Sequence, residues 1–94
     1  MAPVWTTSSF KHGVPREDQL WALTHANFRY IFPPESDGST VWLCIGPPHA
    51  QTDKELELLV RVYREGRPAV VFHAMPLGSR FRTFREEQEN DEHS

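Results

Sequence analysis

The sequence predicts an α+β domain in which two N-terminal helices pack on a small antiparallel β-sheet of about four strands. Two observations predict this class. Helical spacing and helix-start residues occur within residues 6–26, whereas residues 27–76 consist of β-rich runs separated by short turns. Helices followed by consecutive strands are typical of folds in which helices cover one face of an antiparallel meander. We therefore expect both helices on the same face of the sheet.

The two helices are predicted from their boundary residues. Thr6 or Thr7 can cap a short first piece that ends at Gly13, since glycine adopts the left-handed conformation found after many helices. Pro15 suits the first turn of the longer second helix, PREDQLWALTHA. The positions of this second helix that recur at helical spacing, and are expected to face the core, are Leu20, Leu23 and Ala26 or Asn27.

Four strands are predicted from β-branched and aromatic residues and from alternation. Prolines, Asp37-Gly38 and the turn REGR with Gly66 separate them. A final segment, LGSRFRTFREE, is compatible with either a short strand or a helix. The strand segments are NFRYIF (27–32), TVWLCI (40–45), ELELLVRVY (55–63) and PAVVFHAM (68–75).

Charge and length divide the chain into one domain, residues 1–85, and an acidic tail, residues 86–94, predicted to be solvated and disordered. The tail holds five of the 13 acidic residues and none of the 10 Lys and Arg, so residues 1–85 are mildly basic. No apolar run has the roughly 18 residues of a membrane span, and no signal peptide is recognisable. The single cysteine, Cys44, fits a reducing cytoplasm.

His73 interrupts the apolar run VVFHAMP, and the strand register decides which face it occupies. If Glu65 and Gly66 form a two-residue turn, His73 pairs with Leu58 and lies on the leucine-valine face as a core histidine. A β-bulge would shift the register by one residue and move His73 to the opposite face, beside Arg61. The sequence leaves both registers open.

Three arginines follow Pro76, interleaved with two phenylalanines. A strand would align Arg80 with Arg82, whereas a helix would align Arg82 with Arg85. The fork of an arginine side chain matches the oxygens of a phosphate, so this patch is a candidate phosphate site. The alternative is a solvated basic surface. The two phenylalanines, Phe81 and Phe84, are either core residues or surfaces on which bases stack.

Other common chemistries have no sequence support. The five histidines are scattered, without HExxH or CxxC spacing, so no metal site is predicted. The chain also lacks the GxSxG of a serine nucleophile and the GxxxxGK of a phosphate loop. No cofactor is predicted.

Several segments resemble the BrnT-like branch of the RelE superfamily, small toxins of bacterial toxin–antitoxin pairs, in particular actinobacterial members. The resemblance spans about residues 11–84. It rests on KHGV, EDQLWALTHA, TVWLCIGPPHA and ELLVRVYREGRPAVVFHAMP. It implies a compact α+β fold, a metal-independent endoribonuclease that cuts RNA by attack of a 2′-OH, and an antitoxin that covers the site.

The resemblance also suggests the residues that carry this activity. His73 of HAMP and Lys11 and His12 of KHG match its motifs, and we expect His73 or His12 to transfer protons. For the phosphate we expect Arg80 and Arg82 as a clamp, assisted by Arg61 and Arg85 together with Lys11.

A non-catalytic binding protein of the same fold, such as a degenerate toxin or a phage-encoded inhibitor, is the alternative function. The segment LGS separates HAMP from its first following cation, Arg80, and the acidic tail would weaken RNA binding. One interpretation of the tail is a solubility segment. The other is a polyanion that lies over residues 80–85 and competes with RNA there.

Overall fold

A five-stranded mixed β-sheet forms the centre of the computed structural model, which describes residues 2–91. A short 3₁₀ helix, Thr7–Phe10, follows the first strand. The predicted α+β class is confirmed. The elements are β1 (Val4–Trp5), α1 (Arg16–Thr24), β2 (Phe28–Ile31), β3 (Thr40–Gly46), β4 (Leu56–Val62), β5 (Val70–Pro76) and α2 (Ser79–Asp91).

The strand order is β1-β5-β4-β3-β2, in which β2 to β5 form the expected antiparallel meander. The prediction of a purely antiparallel sheet of four strands is wrong, because β1 adds a fifth strand. This strand pairs in parallel with the outer edge of β5, with Val4 opposite Val70. Two residues are too few to show alternation, so the sequence carries no strand signal there.

The two α-helices cover opposite faces of the sheet, so the prediction of two N-terminal helices on one face is wrong. The first predicted helix is only the 3₁₀ turn, and α2 follows the last strand. Alternation along β3 explains why both faces need cover. Cys44 joins the core beneath α1, where Ala22 is fully buried, whereas Leu43 and Ile45 pack with Phe81 of α2.

Helix α2 includes part of the segment expected to be disordered. That expectation is wrong for residues 86–91, which continue the helix to Asp91; residues 92–94 lie outside the described part of the chain. Glutamate and glutamine are good helix formers, and Glu86 and Glu89 lie close enough to Arg85 to favour its charge. Neither helix within residues 2–91 is long and apolar enough to cross a membrane.

Helix α1 approaches the sheet where both elements carry small residues. Leu23 and Ala26 pack against the core as predicted, but Leu20 is 42% exposed and points away from it. A Cβ built on Gly46 would come within 2.5 Å of the carbonyl oxygen of Ala22 and 2.9 Å of the Cα of Ala26. The absence of a side chain at Gly46 therefore sets the distance between α1 and β3.

We expect Gly46→Ala to destabilise the fold by about 1–3 kcal/mol, because the added methyl group meets backbone atoms that cannot rotate away. Gly78→Ala is the matched control. Its Cβ would lie 3.5 Å from the nearest atom, an ordinary contact, so its effect should stay within about 0.5 kcal/mol. Urea unfolding with unchanged slope measures both. Equal stability of the two variants would contradict the close approach of α1.

Candidate active site

A β-bulge in the β4–β5 hairpin determines which face carries His73. Val60 pairs with Val71, but the next residue of β4, Leu59, pairs with His73. Phe72 is therefore the extra residue on β5. The shift turns His73 towards the face that α2 covers, where Leu59 is part of the core.

The predicted pairing of His73 with Leu58 is thus wrong, since Leu58 pairs with Ala74. The pairs closer to the turn, Val60 with Val71 and Arg61 with Val70, are as predicted. A register deduced from the turn holds only as far as the first irregularity, because each bulge reverses the face of every later residue. His73 is not deep in the core, and its side chain keeps 26% exposure.

Glu57 holds His73 in place and is not among the site residues predicted from the sequence. Its Oε2 lies 2.8 Å from Nε2 of His73, and its Oε1 accepts a hydrogen bond of 2.8 Å from the backbone N–H of Gly78. Glu57 is only 4% exposed, and a buried carboxylate is costly without such partners. In the sequence, Glu57 stands out as the one acid in the apolar first half of β4, a strand that is covered on both faces.

The contact with Glu57 assigns the two ring nitrogens of His73 different tasks. An ionised carboxylate only accepts hydrogen bonds, so Nε2 must carry the proton that it donates to Glu57. The neutral ring then has its lone pair on Nδ1. No hydrogen bond joins this nitrogen to any other residue within 2–91, which leaves it able to accept a proton from a bound molecule.

His12 lies against His73, with ring centroids 5.8 Å apart and planes inclined at 74°. The two residues are far apart in sequence, and the packing of the 3₁₀ helix on β5 brings them together. Gln19 anchors the segment around His12, because its fully buried Nε2 donates to the carbonyls of Ser9 and Val14, both at 3.0 Å.

A cleft of about 440 Å³ opens beside His73, between β4, β5 and the start of α2. Arg80 lines it, is exposed, and forms no ion pair within the described chain. Neither His12 nor its neighbour Lys11 is among the lining residues, and His12 adjoins the cleft only through its ring contact with His73. The lining consists of Glu57, Leu59, His73, Met75, Gly78, Ser79, Arg80 and Phe81.

The other predicted arginines lie away from this cleft. Because α2 is helical, Arg82 is turned from Arg80 and lines a separate groove with Lys54 and Glu55. Arg85 makes a bidentate ion pair with Glu55, at 2.6 and 3.1 Å. Both terminal nitrogens of its guanidinium therefore bind within the chain.

Arg61 is also paired within the chain. It contacts the carboxylate of Glu35 at 2.6 Å, and its guanidinium lies 5.7 Å from the ring centroid of Phe72. The hydrogen bond to Glu35 raises the pKa of Arg61, as the bond to Glu55 does for Arg85, and in each case burial opposes the rise. Of the four predicted arginines, Arg80 is the one beside His73.

Within residues 2–91, no three His, Cys, Asp or Glu side chains converge in an arrangement that could hold a metal ion.

Comparison of the chain with models of protein families, with characterised proteins and with solved structures found no match in any of the three. The candidate site is therefore defined by its own geometry: His73 held by Glu57, with His12 and Arg80 beside it.

We expect Glu57→Gln to reverse the tautomer of His73. The amide oxygen can still accept from the N–H of Gly78, but the amide nitrogen then faces Nε2 and donates to it. In the parent protein, ¹⁵N NMR of the rings should show the proton on Nε2; in the variant it should show it on Nδ1. His25, whose ring contacts Thr24, is the internal control and should not change. An unchanged His73 would refute the assignment.

Proposed function

We propose that this protein is a metal-independent endoribonuclease. The observation that carries the proposal is the pair His12 and His73, one of them held by a buried carboxylate, beside a cleft that Arg80 lines. Two imidazoles and one cation supply what cleavage of a ribose phosphodiester requires, namely a base, an acid and a group that stabilises negative charge.

In this mechanism Nδ1 of His73 takes the proton from a ribose 2′-OH, and the 2′-oxygen attacks the adjacent phosphorus. The new 2′-O–P bond forms as the P–O5′ bond breaks, and protonated His12 gives a proton to the leaving 5′-oxygen. Arg80 stabilises the charge that develops on the phosphoryl oxygens. Glu57 orients His73 and stabilises the imidazolium that forms, which favours His73 as the base. The products carry a 2′,3′-cyclic phosphate and a 5′-OH.

The resemblance to BrnT-like toxins supports the same activity from the sequence side. Its two most distinctive motifs, KHG and HAMP, are about 60 residues apart, and their histidines lie in contact. We accordingly propose a toxin of a toxin–antitoxin pair that acts on mRNA in the cytoplasm, with an antitoxin that covers the cleft. Lys11 adjoins His12 and would add positive charge near the RNA.

The second candidate is a non-catalytic binding protein of the same fold, and the charge distribution favours it. Arg61 and Arg85 are neutralised within the chain by Glu35 and Glu55. The second half of α2 adds acidic residues that would repel an RNA backbone: Glu86, Glu87, Glu89 and Asp91.

We expect the full chain to cleave mRNA in the presence of EDTA, leaving 2′,3′-cyclic phosphate ends. His73→Ala and His12→Ala should each lower the rate about a hundred- to ten-thousand-fold, because each removes a proton-transfer group. Arg80→Ala should lower it by about a hundredfold through loss of charge stabilisation. The assay measures initial rates on a defined RNA, after circular dichroism has shown that each variant is folded.

Arg82→Ala is the matched control, since it removes the same charge from the same helix without touching the cleft. Its rate should stay within a few-fold of the parent. Absence of RNA cleavage by the parent chain would favour the non-catalytic binding function. Cleavage that is equally fast in all four variants would mean that the activity lies elsewhere.

A further inference from the structure

A second cavity, of about 580 Å³, adjoins the His73 cleft. The two share the side chains of Leu59, Arg80 and Phe81 as a common wall. Arg80 therefore separates two neighbouring spaces, each open to a polymer that extends along this face. The remaining lining of this second cavity, which we call the aromatic pocket, is Phe32, Pro33, Glu35, Val41, Phe84 and Glu87.

The walls of the aromatic pocket suit a flat apolar ring. Phe84 lies 4.9 Å from Tyr30 and 5.7 Å from Phe32, measured between ring centroids, and Tyr30 lies 5.1 Å from Phe32. This packing fixes the rings of Phe32 and Phe84 where they border the pocket. Aromatic side chains held in this way are common platforms for unstacked bases of single-stranded RNA.

The Glu87 carboxylate makes the pocket suitable for a ligand with N–H donors. Glu35 and Glu87 both border the pocket, as does Arg80. Oε1 of Glu35 is bound to Arg61. The carboxylate of Glu87 forms no hydrogen bond or ion pair with any residue among 2–91, so both of its oxygens are available to accept.

We propose that the aromatic pocket binds a guanine base of the RNA whose phosphate lies beside His73 and Arg80. Guanine presents two adjacent N–H donors on its Watson–Crick edge, which match the two oxygens of the Glu87 carboxylate. The ring lies against Phe32 and Phe84. This inference rests on the proposed function for its ligand class, and it adds a base preference that the His73 cleft does not supply.

The test compares four nucleoside 3′-monophosphates as ligands of the full chain, with inorganic phosphate as a further probe. All share the phosphate, so differences in affinity report the base. We expect guanosine 3′-monophosphate to bind roughly five- to hundredfold more tightly than the other three, the range of one good two-pronged contact. NMR titration should show its shifts at Phe32, Phe84 and Glu87, and phosphate alone should shift only residues around Arg80.

Glu87→Gln should abolish most of the preference, because the amide offers one acceptor instead of two. Glu86→Gln is the matched control: it removes the same charge one residue earlier on α2, and Glu86 does not line the pocket. Equal binding of all four nucleotides, or a preference that survives Glu87→Gln, would overturn the inference. No shift at the pocket with any nucleotide would also overturn it and leave this surface to a protein partner.

These experiments can refute the guanine pocket and the proposed ribonuclease activity independently of each other. RNA cleavage without guanine preference at the cut site would refute the base pocket and leave the ribonuclease standing. Selective binding of guanosine 3′-monophosphate by a chain that does not cleave RNA would support the pocket and refute catalysis.

Discussion

The buried carboxylate of Glu57 is the contact on which the rest of this site depends. It lies between the imidazole of His73 on the neighbouring strand and the N–H of Gly78, just before α2 begins. One side chain thereby joins three successive parts of the fold, β4, β5 and the entry to α2. A buried acid is unfavourable unless both oxygens are satisfied, so the fold is most stable when His73 and the start of α2 are correctly placed. Stability and site geometry are thus coupled.

The bulge at Phe72 and the helix α2 act together on the same face. Without the bulge, His73 would point into the core beneath α1, where Leu58 and Val60 are packed. With it, His73 points towards the side that α2 covers and reaches the cleft that Arg80 lines. The 3₁₀ helix then brings His12 to His73 from the edge of β5. An irregular strand pair thus converts a packing position into a candidate catalytic one.

Ion pairing decides which arginines remain available for a ligand. Arg85 attaches α2 to the start of β4 through Glu55, and Arg61 attaches β4 to the loop after β2 through Glu35. These arginines contribute to structure. Arg80 has no such partner among residues 2–91 and sits between the His73 cleft and the aromatic pocket. A count of basic residues in the sequence does not distinguish these two uses, because it does not show where the acids lie.

The amino-acid sequence by itself determined the α+β class, α1, the four strands from β2 to β5 and the register near the turn, since these follow from local spacing and turn residues. It also indicated His12 and His73 as candidate proton-transfer groups and Arg80 as a candidate phosphate ligand. Only the tertiary structure decided that His73 faces Glu57, that Arg82 turns away from Arg80, and that α2 covers the second face of the sheet. Each of these depends on contacts between residues distant in sequence or on a single inserted residue, and local periodicity carries no information about either.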